Sequence, residues 1–415
     1  MNVRLIIQKG FVAVIAAWTL SSCNWMTEDL SDCPTGLYVN FVYDYNIQRA
    51  DMFKDHVGEL TLYVYDESNR IVASKTMGMA QISKYGSYIH FTEQELPPVH
   101  SYRLMAVAYQ DEVLSTQGAK YRETGNSIGE LWDDFYINLD HSATRFPAHY
   151  SYVSNEAPLD TLWHTLTTII TPSETIPMVS SPAMLTPAKT EYSWQRDGSI
   201  VTNGEETIDL VRGVPTYATV SLIRDTKHLN ITLRAVNDNP DDNQVEDKDY
   251  TVEIIDVNSQ LNCKNELSNS SDTLIYTPYR QWTTTFVGNG QVASESAAHY
   301  DLMFNRLVYK NASVNDDQYA ILRESDIRKS LNAVLLIRKK DTGEIIFGLN
   351  LPYILASGRT YQERYYHYQE YIDREYDYRL QFIIKGSRVD EIQLILGTDV
   401  HIIPWVMRQQ HESLD

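Results

Sequence analysis

The sequence predicts an all-β protein of two tandem antiparallel β-sandwich domains behind an export signal. Three observations carry that expectation. The chain has 415 residues, which at about 100–200 per domain asks for two or three domains. Its 29 Tyr, 10 Phe and 7 Trp favour pleated surfaces, where aromatic side chains pack well. Its apolar residues fall into short alternating runs separated by turn signals, without the helical stretches of about 10–15 residues that mark a parallel α/β sheet. Disordered and collagen-like classes are excluded, since 43% of residues are hydrophobic and only 18 Gly and 14 Pro occur.

Residues 1–22 read as a signal peptide: Arg4 and Lys9 precede an apolar stretch, Phe11 to Leu20. That stretch is too short to span a bilayer, which takes about 20 apolar residues. It ends in Leu20-Ser21-Ser22-Cys23, which resembles the bacterial lipobox, so Cys23 is the expected lipidation site and first mature residue. Acyl chains gain about 0.8 kcal/mol per buried CH₂, and two or more chains anchor a protein stably to a membrane. Residues 23–35 then form a lipidated spacer carrying Glu28 and Asp29.

The N-terminal sandwich is expected over 36–164. Leu37, Val39, Phe41 and Tyr43 alternate with Tyr38, Asn40, Val42 and Asp44, and Leu60, Leu62 and Val64 with Thr61, Tyr63 and Tyr65. Asp66-Glu67-Ser68-Asn69 then supplies a turn into Ile71-Val72, and Tyr102 to Tyr109 repeats the alternation. Residues 165–206, with Pro172, Pro177, Pro182 and Pro187, read as a linker or long excursion. The C-terminal sandwich is expected over 207–415, from Tyr217–Ile223 and Leu229–Ala235 through the Asp341-Thr342-Gly343 hairpin loop to the strand marked by Tyr376, Tyr378, Leu380, Phe382 and Ile384.

Chemistry-bearing patterns are sparse, and no enzyme is expected. Gly125-Asn126-Ser127-Ile128-Gly129 matches G-x-S-x-G, but the strand–turn–helix context is lacking and a loop is expected. The 11 His show no metal-ligand spacing, so neither metal nor cofactor is expected. Asp238 to Asp249 is rich in acids without the spacing of a Ca²⁺ loop, and reads as a solvated hairpin loop. A formal charge of −20 argues against nucleic acid. With Cys23 acylated, Cys33 and Cys263 either pair in an oxidising compartment or stay as two buried thiols. The Tyr cluster from Tyr361 to Tyr378 reads as part core and part β surface.

Several stretches, taken in order, resemble the FimB-type fimbrial anchor lipoproteins of anaerobic Gram-negative bacteria, part of the type V pilus system. They are Cys23 with its acidic spacer; Asp32-Cys33-Pro34-Thr35-Gly36-Leu37 leading to Phe41-Val42-Tyr43-Asp44-Tyr45-Asn46; and Leu60 to Asp66. Leu222-Ile223-Arg224, Phe304-Asn305-Arg306-Leu307, Tyr371-Ile372-Asp373-Arg374-Glu375-Tyr376 and the closing Ile402-Ile403-Pro404-Trp405-Val406 follow. The resemblance implies two transthyretin-like sandwiches, a lipid anchor in the outer membrane at the cell surface, and a partner in the fimbrial (pilin) subunit of the same locus. No small-molecule substrate is implied. It further implies that the protein holds the base of the fimbria and limits its length, engaging the subunit by strand addition. Ile402, Ile403, Trp405 and Val406 are the expected exchange segment, a fixed edge strand being the alternative. The rival expectations are a tip or accessory subunit, and a surface glycan-binding lipoprotein using Trp132, Trp163, Trp194 and Trp282.

Overall fold

The computed structural model describes residues 34–402 apart from 85–86, 99, 111–117, 144–149, 172–191, 195–199, 203–206, 238, 240–241, 287–294, 311–320, 323–329, 331, 360–365, 386–387 and 397–398. Its strands build two β-sandwiches. The first is centred on a sheet whose strands run, in spatial order, Ile71–Gly78, Glu59–Tyr65, Ser101–Tyr109, Leu162–Thr171, Pro215–Arg224, Gly36–Val42 and Ile89–Phe91, with Ile208–Asp209 pairing Ser101–Tyr109. The alternation read from the sequence sets one face: Leu37, Val39, Phe41, Leu60, Leu62, Val64, Leu104 and Ala106 share a core with Phe53, Val57 and Phe91. Tyr63, Tyr65, Met105 and Val107 point the other way and meet Tyr121 and Ile137 of a small three-stranded sheet, and Phe135 just before its strand Tyr136–Leu139. Tyr38, Asn40 and Val42 are buried too, so the first strand is enclosed on both faces.

The second sandwich packs two larger sheets. One runs Arg280–Phe286, Glu295–Phe304, Lys227–Ala235, Asp377–Lys385, Arg388–Leu396 and Asp399–Ile402. The other runs Ile321–Leu322, Ile345–Asn350, Val334–Lys339, Tyr250–Val257, Thr273–Tyr276, Tyr150–Tyr152 and Ser142–Ala143. Leu229, Ile231, Leu233, Tyr300, Leu302, Leu380 and Phe382 from the first interdigitate with Ile254, Leu274, Leu335, Ile337 and Leu349 from the second. Two of the three predicted hairpins form, Glu59–Tyr65 with Ile71–Gly78 and Val334–Lys339 with Ile345–Asn350.

Four features depart from the linear reading. Tyr217–Ile223, assigned by sequence to the second sandwich, lies in Pro215–Arg224 of the first sheet, between Leu162–Thr171 and Gly36–Val42. Conversely, Tyr150–Tyr152 joins the second sandwich through Thr273–Tyr276, and Gln260–Asn262 pairs Tyr136–Leu139. Three of the pairings are parallel: Gly36–Val42 with Pro215–Arg224, Lys227–Ala235 with Asp377–Lys385, and Thr273–Tyr276 with Tyr150–Tyr152. Parallel neighbours cannot be joined by a tight hairpin, so each such pair brings together segments distant in sequence. Finally, 238–249 is no hairpin loop, because Lys227–Ala235 and Tyr250–Val257 belong to different sheets. The Gly125–Gly129 pentapeptide is a turn, as expected: Gly125 sits at φ +67°, where a Cβ would lie 2.1 Å from the Asp134 carbonyl oxygen, and Ser127 is exposed.

Candidate functional site: the junction between the sandwiches

A short crossing between the sandwiches lies between two long strands. Pro215–Arg224 ends in the first sheet and Lys227–Ala235 begins in the second, so Arg224-Asp225-Thr226-Lys227 stands between two apolar strands. Asp225, Thr226 and Lys227 are fully buried. Such charges persist away from water only when paired and hydrogen-bonded. The partners come from far along the chain.

Lys227 Nζ donates to the carbonyls of Asp373, at 2.8 Å, and Glu375, at 3.0 Å, and so caps the C-terminal end of helix Tyr368–Arg374. Burial lowers its ammonium pKa, and the Asp373 and Asp225 carboxylates oppose that. Arg306 forms a bidentate pair with Asp373, Nε to Oδ1 at 3.1 Å and Nη2 to Oδ2 at 2.9 Å. Gln369 Nε2 adds a third bond to Asp373 Oδ1 at 2.9 Å. Burial would lower the Arg306 pKa, but the Asp373 carboxylate outweighs it and holds the guanidinium charged. Asp225 accepts from Asn265 Nδ2 at 2.8 Å; burial pushes its carboxyl up while Arg306 pulls it down.

A second arginine clasps the first sandwich. Arg374 Nε bonds Glu370 at 3.0 Å, and its guanidinium lies 4.2 Å from the Tyr45 ring and 5.1 Å from that of Tyr366. Tyr45 and Asn46 lie just beyond the first strand, Gly36–Val42, and Asn46 Nδ2 ties the turn there by donating to the carbonyls of Tyr43 and Ala50. Thr226 completes the junction, with Tyr121 at 3.0 Å, the Leu162 amide at 3.0 Å and the Asp160 carbonyl at 3.1 Å. The arrangement fixes one sandwich against the other.

The chain matches the family of fimbrillin-A associated anchor proteins Mfa1 and Mfa2 over residues 30–181 and 189–411. It belongs to that family. Among solved structures it is similar to a candidate adhesin from Bacteroides thetaiotaomicron, at 19% identity and TM-score 0.60, covering 91% of this chain and 100% of that one. A candidate adhesin from Bacteroides ovatus gives 19% identity and TM-score 0.58, covering 91% and 98%. A candidate polysaccharide-binding protein from Bacteroides thetaiotaomicron gives 20% and 0.56, covering 89% and 99%. At these identities the likeness is one of fold. No curated protein matches the chain. As a member of the anchor family, the protein is fimbria-associated and belongs to the cell envelope.

Four of the stretches that carried the family resemblance converge on this junction. Tyr45-Asn46, Arg224, Arg306 and Asp373-Arg374 meet there although up to 328 residues separate them along the chain. Sequence reasoning assigned them no role, although Arg224, Asp225 and Lys227 between apolar strands were a signal that charge is being buried with partners.

Of the residues expected to act, Cys23, Cys33, Ile403, Trp405 and Val406 lie outside the described residues. Cys263 is buried, its thiol pushed up to about 11 by burial, and it has no disulfide partner among the described residues. Ile402 is the last residue of Asp399–Ile402 and pairs with Gln393. Of the tryptophans, Trp163 is fully buried and Trp132 only 9% exposed, so neither offers a face to a glycan, while Trp282 stacks on His299 at 4.9 Å. In the Tyr cluster, Tyr366 and Tyr371 belong to the core, in and before a helix rather than on a strand, and Tyr378 enters it from the strand that follows.

Proposed function

We propose that the protein is an outer-membrane lipoprotein, acylated at Cys23, that anchors the base of a fimbria at the cell surface and limits its length. The observation that carries this reading is the anchor-family match across both halves of the chain, joined to a lipobox ending at Cys23. An anchor is loaded mechanically, and a junction built on buried ion pairs resists separation of the two sandwiches because pulling it apart strands several charges in a poorly solvated place. Partner engagement is by strand addition at the free flank of Asp399–Ile402, which ends its sheet and has one paired neighbour among the described residues. A Cys33–Cys263 bridge would fasten the spacer to the first sandwich, next to the three-stranded sheet.

The test is an immunoblot of cells and culture supernatant for the fimbrial subunit, wild type against Cys23→Ala. The expected outcome is longer fimbriae shed into the supernatant by the variant, with the variant itself gone from the outer-membrane fraction. Fimbriae that stay cell-bound and unchanged in length would refute the anchor reading and favour a tip or accessory subunit.

A further inference from the structure

The outer face of the second sandwich carries a polar patch roofed by the first. Along Lys227–Ala235, Glu295–Phe304 and Asp377–Lys385 the inward residues Leu229, Ile231, Leu302, Tyr378 and Leu380 are core, so the alternate positions point outward. Strand register sets them side by side: His228 opposite Met303 and Asp377, and Asn230 opposite Asp301 and Arg379. Asn230 Nδ2 donates to Asp301 at 2.7 Å, and His228 Nδ1 lies 2.6 Å from Asp377. Over this patch opens a cleft of about 750 Å³, within the size range of ligand sites, which takes in Arg224, Gln110 and Asp160 of the first sandwich and Tyr279 of the second.

Arg224 is the decisive group. It is 8% exposed, its Nε is used by the Thr226 carbonyl at 3.0 Å, and its guanidinium lies 4.1 Å from the Tyr376 ring. Among the described residues no carboxylate pairs with it or hydrogen-bonds its terminal nitrogens: Asp377, the carboxylate that acts on it, is engaged by His228 and Arg379. A buried guanidinium whose fork is left over beside a cleft calls for a planar anion there. A single carboxylate suits it better than a dianionic phosphate, since Asp160, Asp301 and Asp377 ring the same space.

The rest of the lining specifies what carries that carboxylate. A peptide strand has no backbone edge to add to, because all three lining strands are paired on both sides within their sheet. Recognition must therefore come from side chains. Carboxylate, amide and imidazole groups in a cluster both accept from and donate to hydroxyls, and the half-buried Tyr279 ring beside His228 offers a face for a sugar ring. We infer that the cleft between the sandwiches binds an acidic saccharide, its carboxylate on Arg224, its hydroxyls on Asn230 and Asp301, and a ring against Tyr279. The site is independent of the anchoring reading and stands or falls separately from it.

The experiment is calorimetric titration of the folded mature chain with trigalacturonate and sialyllactose, each against its neutral counterpart, carboxyl-reduced trigalacturonate and lactose. At least one acidic probe should bind about ten-fold or more tightly than its neutral form, the equivalent of one charge-assisted hydrogen-bond pair. Arg224→Lys, which keeps the charge but loses the fork, should weaken that binding about ten-fold. If that variant does not give a wild-type melting curve, Tyr279→Ala at the half-exposed rim takes its place and should weaken binding several-fold. Equal affinity for acidic and neutral probes, no binding of either acidic probe, full binding by the variants, or citrate binding as tightly as the saccharides would each overturn the inference.

Discussion

Arg306 shows how a single residue can hold two carboxylates in a place they could not otherwise occupy. It pairs with Asp373 through two bonds, approaches Asp225 at 4.0 Å and donates to the Asn265 carbonyl. Arg306→Ala leaves Asp373 and Asp225 buried without their cation, and breaking a buried pair in this way costs about 3–5 kcal/mol. Chemical denaturation should report that loss as a lower midpoint at unchanged slope; a change below about 1 kcal/mol would show the pair to be dispensable. His164 makes a pH prediction. Burial lowers its imidazole pKa from 6.5 to about 4, and its Nε2 has no partner. Because the unfolded chain binds the proton more readily, this residue's contribution is intact above about pH 6.5 and is lost as pH falls towards 4, a loss of about 3 kcal/mol. His164→Leu should therefore lose less stability than wild type between pH 7 and 4, compared by denaturation at each pH. Parallel curves for the two proteins would show that His164 is not the titrating group.

At the scale of elements, the informative strand is the last one described. Asp399–Ile402 pairs Arg388–Leu396 from Leu396↔Asp399 to Gln393↔Ile402, and nothing among the described residues covers its other flank. A paired edge strand can still serve as the docking rail for a partner strand, or be displaced by one, so the fixed-edge and exchange expectations for Ile402 are two uses of one element. Truncation after Val400 removes Ile402 together with Ile403, Trp405 and Val406 while leaving Val400 opposite Ile395. It should abolish co-purification of the fimbrial subunit while costing little in melting temperature, since the described residues it deletes, His401 and Ile402, belong to an edge strand. Co-purification at the wild-type level would remove this segment from the interface. Helix Tyr368–Arg374 has the opposite character: Tyr371 and Ile372 are fully buried, Arg374 binds the Glu370 carboxylate, and the last carbonyls are capped by Lys227. It works as a wedge between the sandwiches, and its sequence, dense in Tyr, reads as a strand until those contacts are known.

For the whole molecule, the two sandwiches do not behave as beads on a string. A single apolar cluster runs from Tyr63 and Met105 of the first sheet through Phe135 and Ile137 to Leu229, Leu335 and Phe382 of the second sandwich. Strands from each half of the chain complete sheets in the other, so neither sandwich is whole without the other half of the chain. The Cys23→Ala experiment belongs to this scale, because under the proposed anchor reading it removes the attachment of the whole body to the bilayer.

What the sequence by itself determined was local: period-two alternation set the strand positions and their buried faces, and turn residues set the two hairpins. The Leu37–Tyr43, Leu60–Val64 and Tyr378–Ile384 patterns reappear as core faces because a pleated strand allows each side chain only one of two directions. Only the tertiary structure decided which strands pair. Pro215–Arg224 went to the first sandwich because its parallel neighbour Gly36–Val42 lies far upstream, and parallel pairing leaves no hairpin signature to read. The junction was hidden for the same reason. Arg306 and Asp373 are ordinary charged residues in a linear reading, and their meaning is a distance of 2.9 Å that exists only once the strands and helix carrying them have been packed.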